Sequence, residues 1–203
     1  MKLKKETTFL FFLIIFQVCI CQNRISSKDG FISPDIESFQ GRKPEANWIW
    51  DSGDPNPKNY YLHVRKSFKL NNSIKEAKAY VSAFSFAELY INGEYIDRVP
   101  TNSDPEYQTY EEIDISPYLK LGLNTIAALV HNVGEGLHHR MNGRGGFFFQ
   151  SKIIDSEEKI IKLKTDKSWL VAKAKAWDSK TDHRQIDHTI GRQEKYDARL
   201  AYD

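Results

Sequence analysis

Residues 88–99 read ELYINGEYIDRV, and this stretch decides the fold class. Leu89 and Ile91 alternate with Glu88 and Tyr90, the two-residue period of a strand with one buried face. Asn92-Gly93 follows, and both residues tolerate the positive φ that a type I′ hairpin turn demands. Residues 94–99 then pair back. Outward from this hairpin the same grammar repeats. Residues 60–68, YYLHVRKSF, alternate with period two, and 78–83, 124–131, 146–154, 159–164 and 169–174 read as further strands. Gly, Asn and Pro punctuate them at a spacing of roughly 8–12 residues, the pattern of a sandwich or barrel. Ser116-Pro117-Tyr118-Leu119 has room for one helical turn, and no longer segment carries a helical period. The expected fold is all-β, a jelly-roll β-sandwich.

The ends and the composition bound what such a domain can be. Lys2, Lys4 and Lys5 precede an apolar run over residues 9–20, the build of a secretory signal. The run falls short of the roughly 20 apolar residues that span a bilayer, so no membrane span is expected. Cleavage before Gln22 fits the small side chains of Cys19 and Cys21, and lipidation of Cys21 is the alternative. Residues 1–21 are therefore read as a signal peptide, 22–47 as a polar lead-in, and 48–203 as the domain. The expected location is outside the cytoplasm, periplasmic or extracellular, with a lipid-anchored surface protein as the rival. Both cysteines lie in the leader, so the secreted domain is held by its core without disulfides. Without Lys2, Lys4, Lys5 and Glu6, the 29 basic and 27 acidic residues of the chain fall to equal numbers. With no basic block, nucleic acid is excluded as a partner.

Several motifs then fall in a recognisable order. Trp48-Ile49-Trp50 is followed by Arg65-Lys66-Ser67-Phe68, Leu89-Tyr90-Ile91-Asn92-Gly93 and Asp114-Ile115-Ser116-Pro117-Tyr118-Leu119-Lys120. Gly122-Leu123-Asn124-Thr125-Ile126-Ala127, Thr165-Asp166-Lys167-Ser168-Trp169 and Glu194-Lys195-Tyr196-Asp197-Ala198-Arg199 complete the series. This succession resembles the N-terminal β-sandwich of bacterial alpha-L-rhamnosidases and, more distantly, the jelly-roll sugar-binding domains of beta-galactosidase-like enzymes. The resemblance implies a non-catalytic module that binds rhamnose-containing polysaccharide or oligosaccharide and assists its degradation. It also implies that the catalytic carboxylates belong to an (α/α) barrel following the sandwich. A partial alpha-L-rhamnosidase is accordingly the alternative to a stand-alone binding module.

Nothing in the residues argues for catalysis by this chain itself. A glycosidase needs two opposed carboxyl groups, roughly 5–5.5 Å apart for retention, and Glu111-Glu112 and Glu157-Glu158 read as solvated strand ends or turns. His131, His138 and His139 lie close in sequence, but adjacent histidines on a strand point apart and do not make a zinc site.

Candidate sugar contacts come from two loops and one tryptophan. Residues 132–146, NVGEGLHHRMNGRGG, are Gly-rich and bring Asn132, Glu135, His138, His139, Arg140 and Arg144 to a long connection. Such side chains hydrogen-bond hydroxyls, and Arg meets a carboxylate or sulfate. Residues 98–110 supply Tyr107 and Tyr110, whose rings can stack on a sugar face. Trp177 is a third platform, whereas Trp48, Trp50 and Trp169 are expected in the core. Rhamnose-binding modules similar to this domain hold the sugar through calcium, with an Asp-Asn pair before the strand that leads into the Asn-Gly hairpin. Phe84-Ser85 stands there in this chain and only Asn132 matches a second family position, so calcium as a cofactor stays open. The oxygen-rich stretch over residues 51–56 reads as a turn or a structural calcium loop.

Overall fold

A computed structural model describes residues 23–28, 31–34, 44–51, 53–100, 107–136, 143–181 and 192–201. Its strands are β1 (Asn23–Lys28), β2 (Phe31–Pro34), β3 (Tyr60–Leu70), β4 (Ile74–Ala83), β5 (Phe86–Ile91), β6 (Glu94–Val99), β7 (Tyr107–Asp114), β8 (Gly122–Asn132), β9 (Phe147–Asp155), β10 (Ile160–Lys164) and β11 (Leu170–Lys173). They form two antiparallel sheets, one of six strands in the order β10-β9-β4-β7-β1-β2 and one of five in the order β11-β3-β8-β5-β6. The expected β-sandwich is thus the observed fold.

The alternation seen in the sequence builds the core. Leu62 and Val64 on β3, Leu89 and Ile91 on β5, and Ile126, Ala128 and Val130 on β8 turn inward from the five-stranded sheet. Ala77, Ala79 and Val81 on β4, with Phe147, Phe149 and Ile153 on β9, face them from the other sheet. Trp169 closes one edge, its ring against Phe147 and Phe149 and its Nε1–H donating to the Lys164 carbonyl at 2.8 Å. Asn92 and Gly93 adopt φ of 53° and 87°, as the I′ turn requires. The turn is locked from below: Asn92 Nδ2 donates to Asn124 Oδ1 at 2.9 Å and to the Tyr118 carbonyl at 2.8 Å, and its Oδ1 accepts from Thr125 N at 3.0 Å. Ser116–Tyr118 forms the one-turn 3₁₀ helix anticipated there.

Two expectations change. The lead-in is not simply a tether, because β1 within it pairs with β2 and with β7, Asn23 opposite Tyr110 and Ser26 opposite Tyr107. Sheet pairing draws on backbone groups, so a polar segment without side-chain periodicity can still form a strand within a sheet. For the same reason residues 107–110 are strand rather than loop.

Candidate functional site

The five-stranded sheet carries the structural basis of a site on its outer face. Because Leu62 points inward, Tyr61 points out, directly across the ladder from His131 on β8, which in turn lies across from Phe86 on β5. These side chains stack in a row. The Phe86 ring meets His131 edge-on at 4.7 Å, His131 lies flat on Tyr61 at 3.9 Å and 4°, and Tyr61 lies flat on Trp177 at 4.7 Å and 14°. The Arg98 guanidinium covers Phe86 at 3.9 Å. Asn59 Oδ1 meets His131 Nε2 at 2.9 Å and Asn59 Nδ2 donates to Thr181 Oγ1 at 3.1 Å, which ties the row to the chain beyond Trp177. Tyr61 is 4% exposed, and burial, with the Glu194 carboxylate as a second cause, raises its phenol pKa well above the usual range. His131, one of the three histidines weighed for zinc, is thereby a packed ring of this stack.

Trp177 reaches this place through the backbone. The strand β11 continues pairing past its end, Ala174 N donating to the Tyr61 carbonyl at 2.9 Å, and a turn closes with Trp177 N on the Ala174 carbonyl at 3.1 Å. The segment around Tyr196 then returns antiparallel to it: Asp178 N donates to the Lys195 carbonyl at 2.9 Å and Asp197 N to the Ala176 carbonyl at 2.8 Å. The Tyr196 ring leans on Trp177 at 5.0 Å and 58° and keeps 51% of its surface exposed. Between the two segments opens a cleft of about 570 Å³, with Trp177, Tyr196 and Leu200 as its apolar wall and lysines and aspartates on its rim. That volume is within the usual range of small-ligand sites, about 300–1,000 Å³. One face of Trp177 is taken by Tyr61, so the platform offered to a ligand is shared between the free part of Trp177 and Tyr196.

The long loop is used differently from the expectation. Asn132 is 1% exposed and spends its amide on the fold, Nδ2 donating to the Pro57 carbonyl at 3.0 Å and Oδ1 accepting from Ser85 Oγ at 3.2 Å. Ser85 Oγ accepts in turn from Val133 N at 3.1 Å. The correction for Asn132 is therefore from sugar contact to internal brace. Glu135 is held in a largely buried ion pair with Arg192 Nε at 2.8 Å, and Arg192 Nη1 donates to the Thr181 carbonyl at 2.6 Å. Glu135 thus ties the loop to the segment that forms the cleft. Arg144 is exposed, while His138, His139 and Arg140 lie outside the described residues.

The glycines of this loop serve aromatic packing. A Cβ on Gly143 would fall 1.7 Å from Phe84 Cε1, one on Gly145 2.2 Å from Trp50 Cζ2, and one on Gly146 2.6 Å from Trp48 Cε3. Tyr110 also needs correction. It is 0% exposed, packed edge-on against Tyr80 at 5.6 Å, and is not a stacking platform. On β7 it shares the outer face of the six-stranded sheet with Tyr80 and is covered there, outside the central core. Tyr107 begins the same strand, and its side chain lies outside the described residues.

The donors at positions 84, 85 and 132 do not fit a calcium ion. Phe84 has no oxygen ligand in its side chain, and the side-chain oxygens of Ser85 and Asn132 are bonded to each other, where calcium asks for several carboxylate and carbonyl oxygens. In the oxygen-rich stretch, Asp51 Oδ1 accepts from Gly53 N at 3.1 Å and Asp54 Oδ1 from Asn56 N at 2.8 Å, the bonds of Asx turns. Asp51 Oδ2 also accepts from the Tyr60 hydroxyl. Among the described residues no three His, Cys, Asp or Glu side chains gather in a metal-binding group. Tyr196 and the lysines of residues 173–180 were not singled out as sugar contacts from sequence. The alternation Lys173-Ala174-Lys175-Ala176-Trp177 was their one visible signal.

The family model for the alpha-L-rhamnosidase N-terminal domain matches residues 72–203. The chain belongs to this family. Among solved structures, the chain is similar to the GH78 family rhamnosidase of Bacillus sp. GL1, at 31% identity and a TM-score of 0.68, covering 78% of this chain and 16% of that enzyme. The alpha-L-rhamnosidase from Aspergillus terreus matches in fold at 19% identity and a TM-score of 0.60, over 77% of this chain and 19% of that one. That of Streptomyces avermitilis, complexed with L-rhamnose, matches in fold at 18% identity and 0.51, over 75% and 14%. The chain therefore spans less than a fifth of the length of each enzyme. No curated protein sequence matches it.

Proposed function

We propose that this domain is a secreted, non-catalytic carbohydrate-binding module that holds rhamnose-containing polysaccharide for an alpha-L-rhamnosidase, with the Trp177–Tyr196 cleft as its binding site. The observation that carries the reading is that cleft: an aromatic wall, backed by a rigid ring stack and rimmed by polar side chains, at the open face of a rhamnosidase-family sandwich. Aromatic rings take the apolar face of a sugar while rim groups hydrogen-bond its hydroxyls. The coverage of under a fifth of the GH78 relatives favours a second form of the same reading, in which the sandwich works as the N-terminal part of an alpha-L-rhamnosidase and the barrel chemistry lies elsewhere.

The test is affinity gel electrophoresis and titration calorimetry of the purified protein with rhamnose-bearing polymers, with and without a calcium chelator. Retardation that survives chelation is expected. Tyr196→Ala should weaken it about tenfold, the scale of one lost aromatic contact with its buried area, and the chain should release no rhamnose from an aryl rhamnoside. Failure of every rhamnose polymer to retard the protein would sink the reading.

A further inference from the structure

We infer that the Trp177–Tyr196 cleft takes an acidic sugar residue, one bearing a carboxylate or a sulfate ester, and that Lys175 and Lys180 meet its anion. This rests on the carbohydrate-binding reading and specifies the ligand of that site. Among the described residues the lining of the cleft carries more cations than anions. Its two lining carboxylates are already spent: Asp178 Oδ2 accepts from Lys195 Nζ at 2.9 Å, and Asp197 is gripped by Arg199 through Nε at 2.9 Å and Nη2 at 2.6 Å. Lys173 lies with its Nζ 5.3 Å from the centre of the Tyr60 ring. Lys175 and Lys180 line the cleft, are exposed, and carry no ion pair among the described residues, Asp178 acting on Lys180 only at longer range. Glu194 neighbours the site on the Tyr61 side, and with its charge included the cations still outnumber the anions among the described residues. This surplus is local, because beyond the leader the chain carries equal numbers of acidic and basic residues.

The geometry suits a sugar that is apolar on one face and anionic at its edge. A ring resting on Tyr196 and Trp177 places its substituents toward the lysine rim. An ammonium supplies three donors in any direction, and so accepts either a planar carboxylate or a tetrahedral sulfate. Recognition through exposed ammonium groups is screened by salt, whereas the aromatic contact is not.

The inference is tested by measuring affinity for three polymers: a uronate-bearing rhamnose polymer, the same polymer after carboxyl reduction to neutral sugars, and a sulfated rhamnose polymer. Tighter binding to either anionic polymer than to the reduced one is expected, with the difference shrinking as salt is raised. The double variant Lys175→Ala/Lys180→Ala should lose about tenfold on the preferred anionic polymer, the scale of two exposed ion pairs, and several-fold less than that on the reduced polymer, where only hydroxyl contacts are lost. Lys69→Ala, at the far end of β3, should bind as the parent does. Affinity for both anionic polymers no tighter than for the reduced one, or a double variant that binds the preferred anionic polymer like the parent, overturns the acidic-sugar assignment and leaves the binding module standing. Retention on none of the three overturns both.

Discussion

Gly145→Ala is the substitution whose cost the structure specifies best. A Cβ at this position would lie 2.2 Å from Trp50 Cε2 and Cζ2 and 2.6 Å from Cδ2. Carbon atoms rest about 3.5–4.0 Å apart, so ring or backbone must move by more than an ångström. Neither is free to do so. The Trp50 ring packs against Tyr60 at a centroid distance of 5.8 Å and donates Nε1–H to the Asp54 carbonyl at 3.3 Å. Gly145 N is fixed to the Pro55 carbonyl at 2.8 Å. Overpacking of this kind costs about 1–3 kcal/mol. The rigid partner favours the top of that range, and the lower entropy of the unfolded alanine chain returns about 0.5–1 kcal/mol. A net loss of about 2 kcal/mol is expected, which for a domain of this size lowers Tm by about 4–8 °C. Urea and thermal unfolding followed by tryptophan fluorescence measure it. Gly136→Ala is the control, since nothing lies within 4 Å of its Cβ, and should stay within about 0.5 kcal/mol of the parent. Replacing Trp50 by leucine should relieve the clash, giving a coupling of about 1 kcal/mol or more in the double-mutant cycle. A Gly145→Ala protein as stable as the Gly136→Ala control would refute the view that these glycines seat aromatic rings.

Asn124→Ala should cost about 2–3 kcal/mol in urea unfolding. Asn124 is fully buried and its amide holds Lys120 N at 2.9 Å, the Lys120 carbonyl at 2.6 Å and the Asn92 amide at 2.9 Å, so its loss strands partners under the hairpin. Acidification gives a second check. The Ser116 hydroxyl and N–H beside Asp114, and those of Ser168 beside Asp166, hold both carboxyls below their ordinary value of 3.8. A lowered folded pKa means a contribution that is complete above the unfolded value and is lost as pH falls through the folded one. The urea midpoint should therefore drop below about pH 4, beyond any loss that the His63 ring, whose pKa partial burial lowers, gives as pH falls through the histidine range. Asp166→Asn should make that drop shallower; an unchanged slope would remove Asp166 from the account.

The sequence by itself determined the hairpin, the sandwich and the inward set of residues, because strand alternation and Asn-Gly turn chemistry are local properties of the chain. It also made Trp177 a candidate platform. The tertiary structure decided the site. Tyr110 and Asn132 look like binding residues in a linear reading, yet packing against Tyr80 buries the first and hydrogen bonds to Ser85 and Pro57 bury the second. The glycines of residues 143–146 look like loop flexibility and instead make room for Phe84, Trp50 and Trp48, rings far away in the chain. Tyr196 and Trp177 become one wall only through the backbone pairing of segments nearly twenty residues apart. A surface that depends on which distant segments share an edge has no periodicity to announce it. Local propensity therefore reads the strands, while long-range register chooses which side chains meet a ligand.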